Sequence, residues 1–173
     1  MKSLVRSIPG YPIPSVNFRD ITTLLADPCG FRETIDRIAE RYTEARIAKV
    51  AGIEARGFIL GGAVAYLLGA GFVPIRKKGK LPWTTIGHDY MLEYGTDRVE
   101  MHTDAIAAGE RVLLLDDLVA TGGTASAAAQ LIDQTGGDLV ELCFIIDLPD
   151  LGGRKKLEAE GRKVFHLMEF EGD

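Results

Sequence analysis

Val112-Leu113-Leu114-Leu115-Asp116-Asp117-Leu118-Val119-Ala120-Thr121-Gly122-Gly123-Thr124 sets the fold of this chain. Four consecutive apolar residues run into two carboxylates. That pattern predicts a strand buried on both faces of a parallel sheet, with acids delivered at its carboxyl end. The small-residue loop Ala120 to Thr124 follows, and then an alanine-rich helix whose inner face is predicted to carry Ala128, Leu131, Ile132 and Thr135. Gly136 and Gly137 supply its stop. A glycine loop between strand and helix lets backbone N–H groups converge on an anion at the positive end of the helix. Thr121 and Thr124 add hydroxyl donors, so the loop reads as a phosphate cradle. A tight turn preceded by solvated acids is the plainer alternative.

Two acids directly before a phosphate cradle repel the phosphate unless something stands between them. A ribose does this: its 2′ and 3′ hydroxyls donate to Asp116 and Asp117 while its 5′-phosphate sits in the loop. The familiar alternatives fail. The sequence has no G-x-G-x-x-G followed by an acid about 20 residues on, as a dinucleotide fold needs, and no G-x-x-x-x-G-K-[ST] of a P-loop NTPase.

Working outward, Ile47 to Ile53 is a second short apolar strand, turned by Glu54-Ala55-Arg56-Gly57 into a helix from Phe58 to Leu68. Arg56 at that junction either meets an anion beside backbone donors or is a surface arginine. Phe72 to Ile75 is a third strand, running into Arg76-Lys77-Lys78-Gly79-Lys80. Such a run is a solvated face or, at the carboxyl end of a strand where α/β ligands bind, an anion site. Trp83 to Val99 alternates around Gly95-Thr96, which predicts a hairpin folded over the site rather than another βαβ unit. Upstream, Asp27 caps a helix opened by Pro28, with Phe31, Ile35, Ile38 and Tyr42 on its inner stripe. Met1 to Ser15, with its prolines, reads as an extended arm leading to the pair Phe18-Arg19, a lid or an ordinary packed Phe beside a solvated Arg. Downstream, Leu139 to Asp147 is a buried strand, Arg154 to Glu160 a charged helix and Val164 to Met168 an edge strand.

The chain of 173 residues suits one domain with a sizeable core. Apolar residues make up 46% and charged residues 26%, ordinary for a soluble globular protein, and the net charge of −5 argues against a general nucleic-acid surface. No apolar run approaches the roughly 20 residues of a membrane span, and the first residues lack a signal-peptide core. Cys29 and Cys143 have no metal-ligand spacing and read as free thiols of a reducing cytoplasm. His88, His102 and His166 show no carboxylate or cysteine partner at useful spacing, so none is assigned as a metal ligand.

The stretch Asp116 to Thr124 resembles the phosphoribosyl pyrophosphate (PRPP) signature of type I phosphoribosyltransferases. Asn17-Phe18-Arg19-Asp20, Glu54-Ala55-Arg56-Gly57-Phe58, Val73-Pro74-Ile75-Arg76-Lys77 and Leu92-Glu93-Tyr94-Gly95 are similar to the adenine branch of that family, across nearly the whole chain. The resemblance implies a single α/β domain: a mostly parallel central sheet flanked by helices, a small hood from 1–27 and 147–153, and a lid hairpin over about 80–104. It implies the reaction of adenine with PRPP to give AMP and pyrophosphate, with Mg²⁺ held mainly by PRPP and no side chain assigned to the metal. Ala120, Thr121, Gly122, Gly123 and Thr124 would hold the 5′-phosphate, and Asp116 and Asp117 the ribose. Ala55, Arg56, Arg76, Lys77 and Lys80 would face pyrophosphate, the loop at Glu54-Ala55-Arg56 often carrying a non-trans peptide. Adenine would lie between Phe18 and Leu148, with Asn17, Arg19 and nearby backbone at its edge. Glu93 would handle the purine proton, with Arg56 as the second catalytic residue; a solvated hairpin Glu is the plain alternative. A cytoplasmic homodimer completes the picture. The rivals are a transferase for hypoxanthine, guanine or xanthine, which lacks the Leu-Glu-Tyr-Gly lid, and a PRPP-sensing regulator, which needs a basic face.

Overall fold

The computed structural model describes residues 1–14, 16–91 and 95–172. Ser15, Leu92, Glu93, Tyr94 and Asp173 lie outside the described residues, and the expectation for Glu93 with them. In chain order the elements are β1 (Arg6–Pro9), β2 (Asn17–Asp20), α1 (Thr22–Ala26), α2 (Pro28–Tyr42), β3 (Lys49–Ile53), α3 (Arg56–Leu68), β4 (Gly71–Lys77), β5 (Thr85–Met91), β6 (Thr96–His102), β7 (Arg111–Val119), α4 (Gly123–Gln134), β8 (Asp138–Asp147), α5 (Gly153–Ala159) and β9 (Val164–Glu169). One sheet of seven strands runs β5-β6-β4-β3-β7-β8-β9. The five strands from β4 to β9 in that order are mutually parallel, while β6 joins β4 antiparallel and β5 joins β6.

The order places the site. The chain leaves β3 through α3 to reach β4 on one side, and leaves β7 through α4 to reach β8 on the other. Neighbouring parallel strands whose crossovers diverge open a crevice beyond their carboxyl ends. Both faces of the sheet are covered, which accounts for the continuous apolar run in β7. Val112 and Leu114 pack with α4 and the hairpin, and Leu113 and Leu115 with α2 and α3. Each such leucine, fully buried, contributes about 1.5–3 kcal/mol. The predicted inner residues Ala128, Leu131 and Ile132 are buried, and so are Ala125, Ala127 and Ala129, because α4 lies between the sheet and the hairpin. Asp27 caps α2 as expected, its carboxylate accepting from the Gly30 N–H at 2.6 Å.

Two expectations are corrected. The arm before residue 15 is not merely extended: Arg6 to Pro9 pairs antiparallel with Asn17 to Asp20 as a separate two-stranded sheet, closed by an Arg6–Asp20 ion pair at 3.4 Å. Its proline content misleads because Pro12 and Pro14 occupy the connection, where no ladder donor is needed. Secondly, β7 does not end at the acids but runs through Asp116 and Asp117 to Val119, paired with β8 throughout.

Candidate active site

The phosphate-loop candidate starts where β7 stops. Gly122 caps α4 with φ +76°, a left-handed conformation that glycine adopts without steric cost. The first-turn amides of α4 have no intrahelical acceptors and lie beside Thr121 and Thr124. A second glycine, Gly153, fixes the loop from behind. Gly153 donates its N–H to the Ala120 carbonyl at 2.9 Å, and a Cβ there would lie 2.2 Å from that oxygen and 2.7 Å from the Gly122 nitrogen. A Cβ on Gly122 would in turn fall 2.9 Å from the Gly153 carbonyl. Gly123 is less confined: a Cβ there would meet only ordinary contacts, with the Met91 carbonyl at 3.4 Å and Tyr90 at 3.5 Å. Those contacts bring the β5–β6 hairpin against the loop.

Asp116 and Asp117 form the floor. Asp117 is 4% exposed and bound by the Arg56 guanidinium from the first turn of α3. Asp116 accepts the Asp117 N–H at 2.9 Å, and burial, reinforced by the neighbouring Asp117 charge, raises its carboxyl well above the usual carboxylate range. Gly57 allows the approach of α3, since a Cβ there would sit 2.8 Å from the Leu115 carbonyl and 3.0 Å from Asp116 Oδ1. The Glu54–Ala55 peptide that precedes α3 is cis, the geometry allowed for by the resemblance.

The cations at this end are present but engaged. Arg76 donates twice to Glu54, both at 3.1 Å, and once to the Lys80 carbonyl at 2.9 Å. Glu54 also accepts the Lys77 N–H at 3.1 Å, and the Arg76 hydrogen bonds, followed by this one, hold its carboxyl below its ordinary pKa against the effect of burial. The Lys77 ammonium is bound to Asp97 and to the Tyr90 hydroxyl. Together Glu54, Arg56, Lys77, Asp116, Asp117 and residues 120–125 line a cleft of about 210 Å³.

A second cleft of about 420 Å³ opens between Asn17, Phe18 and Arg19 on one side and Leu148 and Leu151 on the other. It shares Leu118, Ala120 and Thr121 with the first, so the two lie side by side at these residues. Leu148 is tied to the loop strand by its N–H, which donates to the Val119 carbonyl at 3.2 Å, and Tyr11 packs edge-on against Phe18 at 5.5 Å. Arg19 also has partners outside the cleft. Its guanidinium donates to Ser7 Oγ at 2.6 Å and to the Glu171 carbonyl at 3.2 Å, over the Phe170 ring, and so is engaged with the small sheet and the C-terminal segment. Asn17 Oδ1 is buried with no donor among the described residues.

The sequence matches the family model of the phosphoribosyl transferase domain over residues 21–166. Over 171 residues it is 63% identical to the adenine phosphoribosyltransferase of Methylobacillus flagellatus, covering 99% of this chain and 97% of that one. The chain belongs to the adenine phosphoribosyltransferases. Solved structures of the family agree with its fold. The Rhodothermus marinus enzyme superposes with a TM-score of 0.92 at 49% identity, covering 98% of this chain and 96% of that one. The Saccharomyces cerevisiae enzyme, complexed with D-2,5-dideoxy-2,5-imino-altritol 1,6-bisphosphate and adenine, does so with 0.91 at 38% identity, covering 96% of each.

Within this adenine phosphoribosyltransferase fold, sequence reasoning missed Gly153, Asp97 and the apolar wall Ile13, Val16, Leu118 and Leu151. Only Gly153 carried a signal, the Gly152-Gly153 pair after a strand. One negative expectation is also corrected. His166 does have carboxylate partners, Glu169 at 3.0 Å and Asp147 nearby, because β8 and β9 pair in parallel and bring their ends together. Arg154 sits among the three, 3.4 Å from buried Asp147 and 3.2 Å from Glu169.

Proposed function

We infer that this chain transfers the 5-phosphoribosyl group of PRPP to adenine, giving AMP and pyrophosphate. One observation carries the residue assignment: an anion-lined cleft and an apolar cleft meet at Ala120 and Thr121, so one nucleotide spans both. In this reading the 5′-phosphate takes the amides of Gly122 to Thr124 and the hydroxyls of Thr121 and Thr124. The ribose hydroxyls donate to Asp116 and Asp117. Arg56, the Ala55 backbone, Arg76, Lys77 and Lys80 face pyrophosphate, and adenine stacks between Phe18 and Leu148 with the backbone of Asn17 to Arg19 at its edge.

Displacing pyrophosphate from the anomeric carbon builds positive charge on the sugar and negative charge on the leaving group. The Asp117 carboxylate beneath the ribose favours the first, Asp116 serving as a hydrogen-bond partner of the sugar hydroxyls, and the cations offset the second. Adenine loses a proton as its nitrogen attacks. Glu93, two residues beyond Met91 whose carbonyl adjoins Gly123, is assigned that proton, a role worth typically about 10²–10⁴-fold. The described cleft side chains that offer metal donors are hard oxygens, Glu54, Asp116, Asp117 and the threonines, which suits Mg²⁺ carried chiefly by the phosphates of PRPP. Bound there, the ion supplies charge neutralisation to the leaving pyrophosphate.

The same reading makes residues 1–27 and 147–153 a hood and about 80–104 a lid on a single domain. A homodimer is supported by the exposed stripe of α3, where Ile59, Tyr66 and Leu67 are 51%, 85% and 51% exposed. Among the described residues no helix is long and apolar enough to cross a membrane. In this reading the enzyme is cytoplasmic, and its net charge of −5 argues against a general nucleic-acid surface. Incubating the purified chain with adenine, PRPP and Mg²⁺ tests the activity: equimolar AMP and pyrophosphate are expected, and adenine left unconsumed would overturn it.

A further inference from the structure

Three cations of the pyrophosphate end are already bound to acids: Arg56 to Asp117, Arg76 to Glu54 and Lys77 to Asp97. The third pair differs in what it joins. Lys77 ends β4 and lines the cleft, whereas Asp97 stands on β6 opposite Tyr90 of β5, one pair from the turn end of the hairpin. The ammonium donates to the Tyr90 hydroxyl at 2.5 Å as well as to Asp97, and the same hydroxyl donates to Asp97 at 3.0 Å. Tyr90 also rests against the start of α4. The ammonium therefore adds a side-chain link between the hairpin and the cleft to the backbone pairing of β4 with β6.

The three pairs are not equally hard to break. Asp117 is almost fully buried, and separating it from Arg56 leaves a charge without compensation in the protein interior, which is costly. The Lys77 and Asp97 side chains are 41% and 29% exposed, in the range where an ion pair contributes little. A lysine is also a point charge on a flexible stem, able to change partners by rotating. A pyrophosphate bears several charges against the single charge of Asp97, so it competes effectively for this cation.

We propose that Asp97 is a positioning residue that holds the Lys77 ammonium until PRPP arrives and then surrenders it to the incoming pyrophosphate. The inference rests on Lys77 as a pyrophosphate contact, so both are tested together. Steady-state kinetics of the full chain with Mg²⁺ compare Asp97→Asn, Lys77→Met and the double variant. Asp97→Asn keeps the shape and an acceptor while removing the competing charge. It is expected to lower the KM for PRPP and the inhibition constant of pyrophosphate by about two- to fivefold, with the KM for adenine unchanged. In the Lys77→Met background the same change is expected to leave the PRPP KM unaltered. Asp97→Thr, whose side chain suits a strand, repeats the test should the amide disturb folding. A raised or unchanged PRPP KM in both Asp97 variants, or an equal fall with and without Lys77, would overturn the exchange. Lys77→Met alone should raise the PRPP KM; if it does not, the assignment of Lys77 to pyrophosphate has failed rather than the exchange.

Discussion

Gly153→Ala is the substitution that best separates a role in loop placement from one in stability. Gly153 has no left-handed requirement, so alanine is acceptable to its backbone, but its Cβ would fall 2.2 Å from the Ala120 carbonyl oxygen, about 1.2 Å short of an ordinary 3.4 Å contact. Both neighbours are backbone, so a side-chain rotation cannot relieve the clash. The phosphate loop must retreat by on the order of 1 Å, and a misplacement of that size in a reactive geometry costs about 10²-fold. Losing the Gly153 N–H to Ala120 bond adds about 0.5–1.5 kcal/mol of destabilisation. Gly152→Ala is the matched control, because its φ is +73° with nothing within 4 Å of the added Cβ. It should cost about 1–2 kcal/mol of stability while leaving the loop in place. The assay is kcat/KM for PRPP beside thermal unfolding of both variants. A roughly 100-fold loss in Gly153→Ala with near-normal catalysis in Gly152→Ala is expected. Catalytic efficiency within about threefold of the parent in Gly153→Ala would refute the clash argument.

Three further outcomes follow from the site. Glu93→Ala should lower kcat by about 10² or more with a smaller change in PRPP affinity, and a rise confined to the PRPP KM would remove its proton-transfer role. Asp116→Asn should abolish most activity yet raise the melting temperature at neutral pH by at least about 2 °C, read by calorimetry across pH. A carboxyl whose folded pKa is raised stabilises fully below its unfolded pKa and loses that contribution as pH rises through the folded value, so the gain of the Asn variant should vanish in acid; a gain independent of pH would contradict this origin. Asn17→Val should leave stability unchanged or improved, since it removes a buried carbonyl without a donor, and should keep adenine preferred over hypoxanthine by at least about 100-fold in kcat/KM. A switch of base in that variant would place the specificity in the Asn17 side chain.

The parts of the molecule legible in the sequence were those encoded locally. The run Val112 to Leu115 with its glycine loop gave the strand, the loop and the helix, because burial on both faces and backbone freedom leave direct marks on composition. The hairpin about Gly95-Thr96 was equally plain, and β5 and β6 do pair across it, Met91 opposite Thr96. What the sequence did not carry was partnership at a distance. The ladder of Arg6 to Pro9 with Asn17 to Asp20, the Gly153 backbone against Ala120 and the pairing of Lys77 with Asp97 depend on how separate segments meet. A basic run such as Arg76-Lys77 looks the same whether its charges face water or are bound by Glu54 and Asp97. The guanidinium of Arg19 is another case, drawn towards Ser7 and Glu171 by a sheet that composition concealed.

The central claim is that one nucleotide spans two clefts joined at Ala120 and Thr121, and a crystal structure of the chain soaked with AMP tests it most directly. The phosphate is predicted on the amides of Gly122 to Thr124, the ribose hydroxyls on Asp116 and Asp117, and the purine between Phe18 and Leu148. AMP bound with its phosphate away from that loop, or with its base outside the Phe18–Leu148 cleft, would contradict it.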